Sequence, residues 1–193
     1  AARSRTLMRC ITSANVACGG HAGDAESMDR CVRLANQFGV RLGAHPGPWA
    51  RGDFGRSAIP IDADGLELLL LQQVGTLERI ARARGVGLHH IKLHGALYHA
   101  SEAEDRLARR YLQSVASWWP GAVIYAKASG RVAGIARKAG RRIWEEGFVD
   151  RGYLDNGALV PRDQPNALVT DLQSVRRRVR TILEHGQIET ISG

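Results

Sequence analysis

Long apolar runs are missing from this 193-residue chain. The longest, Leu68-Leu69-Leu70-Leu71, falls far short of the ~20 residues a bilayer-spanning helix needs, so no membrane span is expected. No basic stretch followed by an apolar core opens the chain, which argues against a secretory signal. Cysteine is scarce as well. Cys10, Cys18 and Cys31 make an odd number without C-x-x-C spacing, which speaks against a disulfide framework or a zinc knuckle. A reducing, cytoplasmic setting is the expectation. Both common nucleotide signatures are absent: no G-x-G-x-x-G and no G-x-x-x-x-G-K-[ST] follows any strand-like segment. Acidic residues are in deficit, 19 against 27 Lys and Arg, for a formal charge of +8. The basic excess is dispersed. Its densest cluster, Arg176-Arg177-Arg178 with Arg180, sits on a helix-like segment whose Val175, Val179, Ile182 and Leu183 form an apolar stripe. That pattern describes a solvated helix face, and without interleaved aromatics it does not describe a nucleic-acid platform.

What remains is an ordinary globular composition, 44% hydrophobic and 24% charged, sufficient for one domain over residues 1–193 with a sizeable core. The periodicity alternates strand, glycine-bearing loop and helix. Strands are predicted at 11–18, 40–45, 89–94, 122–127 and 141–145. Helices are predicted from a cap at Asp24 to about Phe38, from Asp62 to Gly85, from a Ser101/Glu104 capping box to before Trp118, over 130–139, and from a Thr170/Gln173 capping box to Glu184. Residues 147–166 read as irregular, and 188–191 as the start of a further strand. Alternating strands and helices predict a parallel sheet with right-handed crossovers. Without a dinucleotide motif, an incomplete or irregular (β/α) barrel is favoured over a doubly wound sheet, because five or six strands are too few for eight.

Side chains alternate faces along a strand, so His90, Lys92 and His94 share one face while Ile91 and Leu93 share the other. The first set carries ionisable groups to a strand's C-terminal tip, where parallel α/β folds do chemistry. Polar groups recur at the equivalent place in each unit. Asn15, His21 and Asp24 follow strand one; His45 ends strand two; Lys92 and His94 end strand three; Lys127 ends strand four; Asp150 and Arg151 follow strand five. Parallel strands would gather them on one rim. Lysines at strand tips lose hydration unless an anion pairs with them, so Lys92 and Lys127, with Arg151, suit a phosphate or carboxylate. His21, His45 and His94 admit a metal, a general acid–base or a hydrogen-bonding reading. Asp24 suits either an anion-binding helix start or a plain cap. His99 and His185 are expected at the surface.

Several segments together resemble the LamB/YcsF family. They are Thr12-Ser-Ala-Asn-Val-Ala-Cys-Gly-Gly-His-Ala-Gly-Asp24, Gly43-Ala-His-Pro-Gly47, Phe54-Gly-Arg56, Ile91-Lys-Leu-His-Gly-Ala-Leu-Tyr98, Asp150-Arg-Gly-Tyr153 and Leu159-Val-Pro-Arg162. They occur in family order from about Ser13 to Ala167. The family has an aromatic where Gly20 stands and proline where Leu93 stands. It also opens with a D-x-N-x-D-x-G-E strand and closes with C-x-H-G-D, neither of which is present, so terminal barrel elements are expected to be missing.

The resemblance implies a distorted (β/α) barrel of the glycoside hydrolase/deacetylase type. It implies an ATP-dependent amidohydrolase, with Mg accompanying ATP, that opens the lactam of 5-oxo-L-proline to L-glutamate together with 5-oxoprolinase B and C subunits. In that reaction His45, Lys92, His94 and Asp150 would be catalytic. Asn15, His21, Asp24, Lys127 and Arg151 would bind substrate or ATP. Rival readings are a metal-dependent deacetylase or carbohydrate hydrolase on the same barrel, and a non-catalytic binding or regulatory subunit. Self-association is a further expectation; a membrane or nucleic-acid partner is not.

Overall fold

The computed structural model describes residues 2–192. They fold as two compact units, one ending at Glu145 and the other beginning at Glu146.

The first unit holds α1 (Ala2–Met8), β1 (Ser13–Ala17), α2 (Ala25–Phe38), β2 (Arg41–His45), α3 (Ala63–Arg82), β3 (His90–Ile91), α4 (Gly95–Ala103), α5 (Asp105–Trp118), β4 (Val123–Lys127), α6 (Arg131–Lys138) and all but the last residue of β5 (Ile143–Glu146). The strands form one five-stranded sheet in the order β1-β2-β3-β4-β5. The β1–β2, β2–β3 and β3–β4 pairs are parallel. A strictly sequential parallel order is what an arc of a (β/α) barrel has, whereas a doubly wound sheet reverses at a switch point. The predicted α/β class with parallel strands is therefore the observed one. No helix among the described residues is long and apolar enough to cross a membrane.

Local chemistry explains the long helices. The Asp24 carboxylate accepts from Ser27 N at 2.7 Å, and Ser27 Oγ accepts from Asp24 N at 2.8 Å, a reciprocal capping box that starts α2. Gly39, at φ 65°, ends it. Asp62 caps α3 by accepting from Gly65 N at 2.7 Å. Both helices turn an apolar stripe inward: Met28, Val32 and Ala35 on α2, and Leu66, Leu69, Leu70, Val74, Leu77 and Ala81 on α3. The sheet's other face supplies Leu42, Ala44, Ile91 and Leu93, each at most 2% exposed.

Three boundaries differ from the sequence pattern. The predicted strand 89–94 keeps regular pairing only at His90–Ile91. His89 N donates to Leu42 O and Lys92 N to Ala44 O, so three residues of this segment advance against two of β2. That extra residue interrupts the ladder, which resumes with His94 N donating to Pro46 O at 2.8 Å. Ser101 does not cap α5. It lies inside α4, where its hydroxyl donates to Tyr98 O at 2.9 Å, because α4 starts at once after His94. The helix predicted to stop before Trp118 includes it.

The second unit contains the irregular segment and α7 (Leu172–His185). Asp171, not Thr170, caps α7, accepting from Ser174 N at 2.7 Å. No residue of α7 is buried. Isolated bridges join Arg151 with Leu168 and Tyr153 with Leu159. Residues 188–191 form no strand; Ile191 N donates to Tyr153 O instead.

Candidate active site

A cluster of three imidazoles sits where β2 and β3 end. His45 is the last residue of β2, and its Nδ1 lies 2.8 Å from the Lys92 carbonyl. His94 immediately precedes α4. Its Nε2 lies 2.8 Å from the Phe54 carbonyl, and its Nδ1 lies 2.9 Å from His45 Nε2. His21, in the loop after β1, stacks on His94 with ring centroids 3.6 Å apart and planes 12° from parallel. Phe54 meets both rings edge-on, at 5.1 and 5.2 Å. His21 is 2% exposed, and its Nδ1 is buried without a hydrogen-bond partner.

The surrounding backbone is shaped to admit these rings. A Cβ on Gly47 would lie 2.3 Å from His21 Nδ1, and one on Gly55 would lie 2.7 Å from His21 Cβ. Phe54 (φ 60°), Gly55 (φ 68°) and Gly95 (φ 53°) all adopt left-handed conformations. Gly95 comes so close to the Gly55 carbonyl that a Cβ would overlap it at 2.1 Å. Ala96 N donates to that carbonyl at 2.9 Å, which ties the start of α4 to the loop after β2. The buried Gln73 of α3 braces the same loop: its amide accepts from Gly47 N at 3.0 Å and donates to Gly47 O at 2.7 Å. Arg51 donates to the Gly19 carbonyl at 2.9 Å and also to that of Gly23.

Burial keeps His21 and His45 neutral. Desolvation, then the charge of His94, lowers His45 to about 3, against a smaller opposing effect of its bond to the Lys92 carbonyl. Desolvation, then His94 and Arg51, lowers His21 to about 4. Lys92 adds to the depression of His45, and its Nζ lies 5.9 Å from the Tyr98 ring centre.

The sequence-predicted residues separate into groups. His21, His45, His94 and Lys92 come together. Asn15 lies one layer down the sheet, where its Oδ1 accepts from His90 Nε2 at 2.9 Å. Asp24 is engaged as the α2 cap. Lys127 ends β4, where its charge acts on the half-buried Glu102, whose Oε2 accepts from Arg131 N at 2.6 Å. Asp150 and Arg151 belong to the second unit. Asp150 is exposed, and its carbonyl accepts from Val169 N. Arg151 is 6% exposed, and its guanidinium donates to the carbonyls of Ala167 (3.1 Å) and Val160 (2.7 Å). Those bonds hold its own irregular segment together. His99 and His185 are exposed, as expected.

Two buried groups escaped the sequence reading as site residues. Gln73 could have been found as the one polar side chain on the buried stripe of α3. His90 shares its face with Lys92 and His94, but its target, Asn15 across Gly43, has no local signature.

Fold and site define the class: an α/β protein with a histidine and lysine centre at the C-terminal ends of consecutive parallel strands. Within that class the chain belongs to the LamB/YcsF family, whose profile matches residues 2–193. It is 40% identical over 187 residues to a protein of Pyrococcus furiosus named as the A subunit of 5-oxoprolinase, covering 97% of this chain and 73% of that one. The Pyrococcus abyssi protein of the same name is 39% identical with the same coverage. Among solved structures, the lactam utilization protein from Thermus thermophilus superposes with a TM-score of 0.90 at 35% identity, covering 98% of this chain and 76% of that one.

Proposed function

We infer that the chain acts as the A subunit of a 5-oxoprolinase, opening the lactam of 5-oxo-L-proline to L-glutamate at the expense of ATP, with B and C subunits as partners. The observation that carries this reading is the packing of His21, His45, His94 and Lys92 into one centre, within a chain whose relatives bear that name.

A five-membered lactam is a poor electrophile. Transfer of the ATP γ-phosphoryl group to the lactam oxygen breaks the bond to the β-phosphate, releases ADP and makes a cyclic imidate phosphate; a magnesium ion accompanying ATP would supply charge neutralisation on the phosphates. Water adds to that carbon and the C–N bond breaks with protonation of nitrogen, leaving an acyl phosphate. A second water then releases phosphate and glutamate. The chain's side chains fit three tasks in this sequence. Lys92, and Lys127 on the next strand, supply positive charge for carboxylate or phosphate oxygens. His45 and His94, side by side at the ends of β2 and β3, are placed to orient or activate the attacking water. The burial of His21 keeps bulk water off the stacked face of His94.

The test is turnover of 5-oxoproline by the chain assembled with B and C subunits. Lys92→Met and His94→Ala are each expected to lower kcat at least ~100-fold, the lower range for loss of a general acid–base group. Near-normal turnover by both variants would refute the assignment.

A further inference from the structure

The protons on His45 and His94 are fixed by what each ring faces. A carbonyl oxygen only accepts, so His45 Nδ1, 2.8 Å from the Lys92 carbonyl, must carry hydrogen. His94 Nε2, 2.8 Å from the Phe54 carbonyl, must carry one too. In neutral imidazoles this leaves His45 Nε2 and His94 Nδ1 without hydrogen, and these two nitrogens face each other at 2.9 Å. Two lone pairs that close repel unless a positive centre lies between or beside them. A third imidazole adjoins: His21 is 2% exposed, its Nδ1 lacks a partner, and ligand atoms of all three rings fall within 4.8 Å of one another.

We propose that His21, His45 and His94 bind a divalent transition-metal ion of the zinc class. This goes beyond the proposed lactam reaction and stands on the histidine geometry alone. Zn–N bonds of about 2.0–2.1 Å place neighbouring ligand nitrogens about 2.9–3.4 Å apart, so the His45–His94 spacing already fits. Their outward N–H groups donate to carbonyls, the contact that orients metal-bound imidazoles. His21 completes the set by turning its ring off the face of His94. Gly47 places no Cβ against His21 Nδ1 and Gly55 none against its Cβ, so backbone alone lines that side of the residue. Three neutral imidazoles leave the ion's charge uncompensated, with Lys92 and Arg51 nearby. The fourth position is therefore filled by an anion: hydroxide, or a carboxylate oxygen of a ligand.

The full chain, stripped with chelator and dialysed, is titrated with Zn(II) or Co(II) and followed by calorimetry and elemental analysis. One equivalent is expected, with a tetrahedral Co(II) absorption band. Side-chain 15N NMR of the wild-type protein is expected to show three imidazoles shifting on zinc addition, a readout that needs no variant to fold. His21→Gln, His45→Gln and His94→Gln should each weaken binding at least ~10-fold, while the exposed His99→Gln and His185→Gln should not. The inference is overturned by sub-stoichiometric binding, by binding that survives all three substitutions, or by NMR showing a proton shared between His45 and His94 that zinc does not displace. None of these readouts depends on lactam turnover, so loss of the proposed activity alone would leave the metal centre standing.

Discussion

Gly43 controls the inner face of the sheet. A Cβ there would lie 1.9 Å from His90 Nε2, because the His90 ring passes directly over this residue to reach Asn15 on β1. The ring is further held by stacking on Tyr125, with centroids 4.0 Å apart and planes 11° from parallel. Gly43→Ala must therefore displace a fully buried imidazole or push β2 out of register. Overpacking of this kind costs roughly 1–3 kcal/mol, and loss of the His90–Asn15 bond adds to it. Urea denaturation is expected to show destabilisation of at least about 2 kcal/mol at unchanged m. Truncating the partner gives the check: in a Gly43→Ala/His90→Ala double variant the overlap is gone, so the two costs should be clearly less than additive. Additive costs would mean that the ring does not need the space over Gly43.

Among the elements, legibility followed how local the determinants are. The predicted starts of α2 and α3 match the observed ones, since Asp24 and Asp62 form bonds within three residues of themselves. Replacing Asp24 by Ala removes the acceptor for Ser27 N and is expected to cost about 1 kcal/mol. Gln73 holds the loop after β2 independently of this cap, so binding of the proposed 5-oxoproline substrate should change little. A large loss of binding with intact stability would instead assign the Asp24 carboxylate to the ligand. The candidate site was legible in part. His21, His45, Lys92 and His94 all lie at or just past strand tips, and that placement follows from alternation of strand and helix. What failed was non-local. The extra residue between His89 and Lys92 depends on the β2 ladder, which periodicity within one segment cannot see. Ser101 with Glu104 has the residue types of a capping box, but the helix beginning at Gly95 had already absorbed Ser101. Likewise Arg151 has the composition of an anion ligand, while two buried carbonyls of its own segment take its donors.

On the scale of the whole molecule, charge and buried histidine together set the response to acid. The chain already carries a formal +8 with histidines neutral, so every proton added deepens self-repulsion. His90 is 0% exposed; desolvation, then the charges of His89 and Lys92, lowers it to about 3 from an ordinary 6.5. Between those values the unfolded chain binds a proton at this site that the folded chain refuses. Stability therefore rises with pH from about 3 to 6.5, and above 6.5 this residue adds no pH dependence. In urea titrations, the free energy of unfolding should fall steadily as pH drops from about 6.5 toward about 4. His90→Phe keeps an aromatic ring on Tyr125 and leaves Asn15 to solvent. Its unfolding free energy should be lower than wild type at about pH 7 but should decline less steeply on acidification, by close to one proton's worth of slope. An unchanged slope would show that His90 is not held neutral by the fold, and that the acid response belongs to other groups.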